Sequence, residues 1–465
     1  MGSQPQGTQP PGTQLWAKDL PLDSLVHAFT VGQDPLLDLA LLPFDTWGSA
    51  AHARTLHRAG LLTSGDARAL VAALAELQVE ARAGALVIRP EQEDGHTLLE
   101  AELTARLGEP GRRIHAGRSR NDQVATALRL WMREQVLVLE AAALGLAEAL
   151  VAFAEAHPGP LPGYTHLRLA MPSSWAQWAG SHAEALHEEV EALESLWGRL
   201  DRCPLGSGAG YGVPLPLDRT YTAGLLGFTR LHRNAAEVQL TRGRVEGAFL
   251  HALASVGLAL ERLCQDALLY STEAFGFLHL PEAFTTGSSL MPQKRNPDVL
   301  ELARARAREL RGQAARVDAL ATGLSSGYHR DFQLLKAPVM EASASALGLL
   351  QVLTHIVPGL RPTAAAQEVA KAPELHATQV ACERALAGQP FREAYRAVAA
   401  DLAEGTFQAP ATPPRAQAAG SPGALDLAGL RADLDARGAW IASRRAHLDA
   451  AEAATWNVNS IGDLP

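Results

Sequence analysis

The stretch from Gly287 to Asp298 combines residue types that could bind an anion and remove a proton. It reads Gly-Ser-Ser-Leu-Met-Pro-Gln-Lys-Arg-Asn-Pro-Asp, with two hydroxyl groups and one lysine, Lys294. Asn296 and Pro297 predict a helix cap followed by proline at the first helical position, and the positive dipole end of a helix favours a bound carboxylate. The stretch therefore predicts an anion-binding loop, and an ordinary polar loop with a good cap is the alternative interpretation.

Two other loops carry polar residues that a hydrophobic core does not need. Residues 114–123, Ile-His-Ala-Gly-Arg-Ser-Arg-Asn-Asp-Gln, place two arginines close together, and the guanidinium group fits carboxylates. A solvated charged turn explains that composition equally well. Residues 163–168, Gly-Tyr-Thr-His-Leu-Arg, hold His166. A lone histidine in a turn indicates chemistry only in the company of the other two loops.

Long helical segments must position these loops, because strand patterns are nearly absent between them. Residues 124–156 are apolar on most sides and contain no proline, which predicts a helix buried in a bundle. The next segment repeats large apolar residues along one helical face. We predict five long helices in an elongated, all-α bundle. They cover residues 124–156, 175–200, 235–272, 303–324 and 331–356, the last interrupted at Pro338.

The pattern along the chain predicts three helical domains. They span residues 15–118, 119–362 and 363–465, and the middle domain holds the bundle. Residues 405–423 are rich in Pro, Ala and Gly and predict a connector before a terminal helical piece. Residues 1–14 lack a basic region followed by an apolar run, so we expect a flexible tail and not a signal peptide.

The composition excludes several functions. A net charge of −9 across 465 residues argues against non-specific binding to nucleic acid. No uncharged apolar run reaches the roughly 18 to 20 residues that span a bilayer. The three cysteines lack metal-ligand spacing and cannot all pair, so we expect a cytoplasmic protein. The glycine-rich residues 204–212 follow a helix, so the strand–loop–helix context of a dinucleotide fold is missing.

The Gly287–Asp298 stretch resembles the signature loop of the fumarase/aspartase/argininosuccinate lyase superfamily. Residues 115–123, 163–167, 271–277 and 390–394 narrow the resemblance to the argininosuccinate lyases and their lens relative delta-crystallin, from about Trp16 to the C-terminal region. The chain departs from the family pattern at several positions, where it has Ala116, Arg168-Leu169-Ala170-Met171, Asn234-Ala235-Ala236-Glu237, Gly243 and His329-Arg330. These departures concern substrate recognition more than the reacting groups.

This resemblance implies the elimination of fumarate from a small substrate, argininosuccinate, to leave arginine without a metal or organic cofactor. Ser288 would be the base, and His166, held by Glu301, would protonate the leaving nitrogen. Lys294 and Asn296 would stabilise the carboxylate as charge develops. The resemblance also implies a homotetramer whose active sites are shared between chains. The implied substrate-binding residues are Asn296 again, with Ser49, Ser119, Arg120, Asn121, Thr165, Ser289, Tyr328, Gln333 and Lys336.

Two alternatives stay open from the sequence alone. One is a sister lyase that eliminates fumarate from another N-substituted aspartate, which the departure at Arg168–Met171 supports. The other is a non-catalytic protein of the delta-crystallin type, which the presence of Ser288, Lys294, His166 and Glu301 disfavours. An assay for fumarate release separates all three possibilities.

Overall fold

A computed structural model describes residues 23–412 and 417–462, and helices dominate it. The predicted tail, residues 1–14, lies outside the described residues. Six helices precede the long ones: α1 Ser24–Val31, α2 Asp34–Leu37, α3 Leu42–Arg58, α4 Ser64–Arg82, α5 Gly95–Leu107 and α6 Glu109–Arg113. Leucines of α3, α4 and α5 form a buried cluster of their own, which includes Leu56, Leu70, Leu74 and Leu103.

The predicted all-α bundle is confirmed. Its long helices are α7 Arg120–Ala156, α8 Trp175–Leu200, α11 Arg244–Tyr270, α12 Asp298–Ala321 and α13 Lys336–Ile356, and two short helices, α9 Arg219–Leu225 and α10 Ala235–Leu240, lie between α8 and α11. One large cluster of buried apolar side chains joins all five long helices. Burial of such faces is the main source of stability for helices in a bundle.

The third predicted helix, residues 235–272, is not continuous. It breaks between α10 and α11 at Gly243, where φ is +80°. An added Cβ there would lie 2.4 Å from the Cβ of Ala321 on α12, so only glycine fits. The Glu246 side chain then accepts the Gly243 N–H at 2.8 Å and starts α11 anew. A glycine required by close packing against another helix explains why the prediction failed here.

Two local predictions around prolines are also wrong. Pro338 does not interrupt the fifth helix, because it lies in the first turn of α13, where its missing N–H costs no hydrogen bond. Asn296 does not cap α12, since that helix begins at Asp298 and Pro297 occupies the cap position without a side-chain bond. Asn296 instead lies in a short strand that pairs with Thr286.

The strands of the described residues form three antiparallel pairs. Strand β1, Pro160–Thr165, pairs with β2, Arg168–Ser174, in a hairpin between α7 and α8. In the other two pairs, each strand is two residues long. Strand β3, Leu278–His279, pairs with β6, Arg361–Pro362, and β4, Thr286–Gly287, pairs with β5, Arg295–Asn296. The last pair closes the base of the signature loop, residues 287–298.

The C-terminal region contains α14 Ala364–Val369, α15 Ala377–Leu386, α16 Phe391–Ala403 and α17 Leu427–Trp456. Helix α17 has 30 residues, more than the terminal piece that we expected. It packs back on the bundle, where the rings of Trp440 and Trp197 lie 5.8 Å apart. Its last turn reaches α3, because Trp47 Nε1 donates to Thr455 Oγ1 at 3.1 Å. The three-domain division by residue number stays a prediction.

Three helical stretches are long and apolar enough to cross a membrane by length and composition alone: Arg120–Ala156, Ala235–Tyr270 and Arg330–Gly359. Charged residues such as Glu140 interrupt the first stretch, so no uninterrupted uncharged run within it reaches the spanning length. The chain itself buries 61% of the most apolar window of the first stretch, against 50% and 44% for the other two. Much of this apolar surface therefore serves the bundle, and part of it stays uncovered in one chain.

The cysteines have unequal environments. Cys203 and Cys264 are buried, Cys382 is exposed, and all three are free thiols. Burial raises the pKa of both Cys203 and Cys264 to about 12.

Candidate active site

A cavity of about 100 Å³ lies between the N-terminal helices, the start of α7 and the segment that leads into α13. Residues far apart in the sequence therefore meet at one place. Five of the predicted substrate-binding residues line it: Arg120, Asn121, Tyr328, Gln333 and Lys336.

The start of α7 is fixed by a capping box. Ser119 Oγ accepts the Asn121 N–H, and Asp122 Oδ1 accepts the Ser119 N–H at 3.0 Å. The other oxygen of Asp122 accepts the N–H groups of Gly206 at 3.0 Å and Gly208 at 2.8 Å. The glycine-rich loop thus anchors α7, so the first turn presents Arg120 and Asn121 to the cavity. Burial raises the pKa of Asp122 to about 6, although the three N–H groups oppose this change.

Lys336 is held between two carboxylates of the N-terminal segment. Its Nζ lies 2.6 Å from Asp34 Oδ1 and 2.6 Å from Asp38 Oδ1, and the lysine is 2% exposed. Burial alone would lower the pKa of Lys336, but Asp38 and Asp34 raise it above its usual value. Burial raises the pKa of Asp34 to about 6, against the influence of Lys336. The lysine charge is therefore already neutralised within the chain.

Arg120 and Gln333 likewise have partners in the chain. Arg120 Nε donates to Asp94 Oδ2 at 2.7 Å, and its Nη2 donates to Glu93 Oε2 at 3.1 Å. Gln333 Nε2 donates to the backbone carbonyls of Thr30 and Val31, both at 3.0 Å. These side chains hold the N-terminal segment and α5 against the cavity.

In the signature loop, Ser288 Oγ accepts two backbone N–H groups. The Met291 nitrogen lies 3.1 Å from it and the Leu290 nitrogen 3.3 Å. Two converging donors stabilise negative charge on the oxygen that they contact. In the same loop the side chains of Ser289 and Lys294 are exposed, and that of Asn296 is half-buried.

The β1–β2 hairpin presents His166 at its tip. His166 and Leu167 both have positive φ, +55° and +58°, as a tight two-residue turn requires. Tyr164 anchors the hairpin, since its ring packs on Phe275 at 5.6 Å and on Phe277 at 6.5 Å. Both Thr165 and His166 are exposed, so the turn holds them out into solvent.

The cavity is not lined by all of the predicted residues. Neither His166 nor Ser288 lines the cavity. No hydrogen bond or ion pair that the structure shows among its described residues joins His166 to Glu301, which is exposed on α12. Ser49 is 1% exposed and accepts a hydrogen bond from Arg118 Nη1 at 2.7 Å, so it supports the 114–123 loop from behind.

Comparison with known proteins matches residues 19–312 to a family model described as lyase. The argininosuccinate lyase of Sorangium cellulosum is 42% identical over 91% of this chain and 98% of its own length. That of Thermotoga neapolitana is 39% identical over 83% of this chain and 97% of its own. The chain belongs to the argininosuccinate lyase family.

Solved structures agree with this argininosuccinate lyase fold. An EDDS lyase in complex with formate has a TM-score of 0.77 at 23% identity, covering 95% of this chain and 96% of that one. The class II fumarase of Schistosoma mansoni has a TM-score of 0.69 at 17% identity, covering 82% and 88%. At these identities the likeness concerns the fold alone.

The acidic side of the cavity was not predicted from the sequence of this family member. Asp34, Asp38, Asp94 and His96 line it but were not predicted as site residues. Asp94 has a local role as well, because its carboxylate caps α5 by accepting the Thr97 N–H at 2.9 Å. A possible signal was the run Glu93-Asp94-Gly95-His96, which holds more charge than a helix cap needs.

Proposed function

We propose that this protein cleaves argininosuccinate into arginine and fumarate. The observation that carries the proposal is the similarity to argininosuccinate lyases over nearly the whole chain, from 38% to 42% identity among several relatives. The presence of Ser288, Lys294, His166 and Glu301 supports a catalytic protein over a delta-crystallin-like one.

The reaction removes a proton from the carbon beside a carboxylate and then breaks a C–N bond. Ser288 is the base in this proposal, and the electron pair of the C–H bond first enters the carboxylate, which becomes a doubly charged aci-carboxylate. Lys294, Asn296 and the N-terminus of α12 stabilise that charge, which is usually the largest single contribution to such catalysis. The pair then forms the double bond of fumarate while the guanidino nitrogen leaves with the electrons of the C–N bond.

A serine hydroxyl is a weak base until its alkoxide is stabilised. The two N–H groups that converge on Ser288 Oγ support this role, because they favour the charged oxygen over the neutral one. In this proposal His166 donates a proton to the leaving nitrogen, and Glu301 orients the imidazole once the chains have assembled. The turn that exposes His166 leaves its imidazole free to approach a substrate.

The proposal includes assembly into a homotetramer with shared sites. Ser119, Asn121, Thr165, Ser289 and Tyr328 complete the substrate contacts there. Apolar surface left uncovered on the long helices supports assembly, since several chains can bury it together. The free cysteines support a cytoplasmic location.

An absorbance assay for fumarate with a panel of substrates tests the function. We expect fumarate from argininosuccinate and at most trace release from adenylosuccinate, aspartate or malate. Release from another N-substituted aspartate in preference to argininosuccinate would indicate the sister lyase. No release from any member of the panel by the folded protein would contradict a catalytic function.

A further inference from the structure

A second cavity, larger than the candidate active site, lies between the β1–β2 hairpin and the C-terminal region. Its volume is about 620 Å³, and the two cavities share no lining residue among those that the structure describes. One wall is strand β2, another is a face of α15, and the third is the connector that follows α16. Cavities that bind small molecules commonly enclose ~300–1,000 Å³ and are lined by apolar side chains with a few polar groups.

The helical wall is one face of α15, because its lining residues recur at helical spacing. Thr378, Cys382 and Leu386 lie four positions apart, so their side chains point to the same side of the helix. Leu386 is 70% exposed, and Met171 on the strand wall is 49% exposed. Folding of the chain therefore leaves apolar surface open on two walls of the cavity.

Hydrogen bonds along α15 orient the polar groups of the cavity. His376 Nδ1 lies 3.2 Å from Gln379 Oε1. Gln379 Nε2 donates to Glu383 Oε1 at 2.9 Å and to the Thr412 carbonyl of the connector at 3.1 Å. The amide of Gln379 thus has partners on both of its atoms, and Glu383 is held against the wall through one carboxylate oxygen.

Glu383 gives the cavity an acidic group without a cationic partner. No lysine or arginine lines the cavity among the described residues, and the structure shows no ion pair of Glu383 within that part of the chain. The neighbouring Arg384 is engaged elsewhere, since its Nη2 donates to Asp401 Oδ2 at 3.0 Å. A half-buried carboxylate beside apolar surface favours a ligand that carries a positive charge.

The strand wall belongs to the hairpin that carries His166. Met171 pairs with Gly163 across the hairpin, and a Cβ added at Gly163 would lie 2.7 Å from the Met171 carbonyl oxygen, so the two strands approach closely. The first turn of α8 follows β2 directly and is tied to the connector, because Gln177 Nε2 donates to the Gly420 carbonyl at 3.2 Å. A ligand that packs on Met171 therefore restrains the strand that leads to His166.

We propose that this cavity is an effector site for a small aliphatic amine, whose ammonium group pairs with Glu383 and whose carbon chain packs on Met171 and Leu386. The bound amine restrains the hairpin and thereby the approach of His166 to a substrate. The effect on catalysis rests on the proposed function, whereas the binding site does not.

Calorimetry with n-hexylamine tests the site. Hexanol and hexanoate are the control compounds, because they keep the carbon chain and lack the positive charge. We expect the Kd of the amine to be about fivefold or more below that of the alcohol, and hexanoate to bind more weakly than both. In Glu383→Gln the amine should lose this advantage, and the alcohol should bind as before. Glu374→Gln is the matched control, because Glu374 is an exposed glutamate before α15 and outside the cavity lining.

Cys382 reports whether the probe occupies this cavity. Its thiol is exposed and lines the cavity, whereas Cys203 and Cys264 are buried. Saturating hexylamine should slow the reaction of Cys382 with a neutral dipyridyl disulfide in wild type and not in Glu383→Gln. Under the same conditions, hydrogen exchange measured by mass spectrometry should slow at residues 160–174.

Equal Kd values for the amine and the alcohol, binding that leaves Cys382 unprotected, or unchanged exchange in the hairpin would each overturn the inference. Fumarate release from argininosuccinate gives a separate readout. Hexylamine should lower kcat by about twofold or more in wild type and leave it unchanged in Glu383→Gln, and a constant kcat in wild type would overturn the effector role. If the protein releases no fumarate at all, the proposed function fails, and calorimetry with thiol protection still decides the amine site.

Discussion

Ser288 carries the oxygen on which the proposed proton transfer depends. In Ser288→Ala the two N–H groups of Leu290 and Met291 keep their positions but lose their acceptor. We expect kcat to fall far more than tenfold, with the fold and the affinity for products nearly unchanged. Steady-state kinetics and thermal unfolding check this.

The matched control is Ser195→Ala, since Ser195 is an exposed serine of α8 whose hydroxyl donates to the Glu191 carbonyl of its own helix. If Ser288→Ala retained more than about a tenth of wild-type kcat, a loss below ~1.4 kcal/mol, the base would be another residue.

Lys294→Met removes a charge and keeps most of the side-chain volume. If the lysine stabilises the aci-carboxylate, kcat should fall roughly a hundredfold or more. Lys371→Met is the control, because Lys371 is exposed on the C-terminal side of α14 and pairs with Glu368 of that helix. An effect on KM alone would show that Lys294 holds the ground-state carboxylate instead.

The roles of the residues expected to react come from sequence motifs and stay predictions, whereas the contacts around the cavity could not be predicted from sequence. Ser288, His166 and Lys294 stand in short motifs that carry their own chemistry. That Lys336 would meet Asp34 and Asp38 depends on packing between segments about 300 positions apart. No local pattern contains such a contact, so the neutralisation of this lysine required the folded chain.

At the scale of elements, the long helices were predictable because periodicity repeats over many turns. The β1–β2 hairpin was not predicted, since Pro160, Pro162 and Pro172 resemble a loop and remove ladder donors. The break at Gly243 was missed because it depends on Ala321 of another helix. Long elements are thus encoded locally, whereas the short elements that carry site residues depend on tertiary contacts.

Helix α7 contains a buried carboxyl group that should make stability depend on pH. Glu140 is 0% exposed, and neither of its side-chain oxygens has a hydrogen-bond partner in the described part of the chain. Burial, and next the charge of Glu194, raise the pKa of Glu140 to about 9. At pH values between the ordinary pKa of a glutamate and about 9, Glu140 keeps its proton in the folded state and loses it in the unfolded state.

Because of Glu140, the free energy of unfolding should fall as pH rises through that window, by up to about 1.4 kcal/mol per pH unit. We expect Glu140→Gln to unfold at a higher temperature than wild type at pH 8, with a smaller difference at pH 5. Thermal midpoints at fixed protein concentration measure this. Glu148→Gln on the exposed face of α7 is the control, and an equal effect of both variants at both pH values would contradict the assignment.

At the scale of the whole molecule, the proposed sharing of active sites between chains predicts complementation between inactive chains. Ser288→Ala and His166→Asn should each be inactive as pure tetramers. Mixed tetramers that assemble at random should recover about a quarter of wild-type activity if each site takes its histidine and serine from different chains.

Co-expression with two affinity tags isolates the mixed tetramers, and the fumarate assay measures them. Each variant combined with itself is the control. If confirmed mixed tetramers had no activity, both residues of a site would come from one chain. The proposed lyase function would not be contradicted by that result.

The three cysteines differ in exposure, so each chain has one cysteine to which a thiol-reactive dye can attach. Because Cys203 and Cys264 are buried and hold their protons, a maleimide dye added to the native protein should react at Cys382 and stop at one dye per chain. Donor-labelled and acceptor-labelled protein could then be mixed, and energy transfer would report how fast subunits exchange, without any engineered residue.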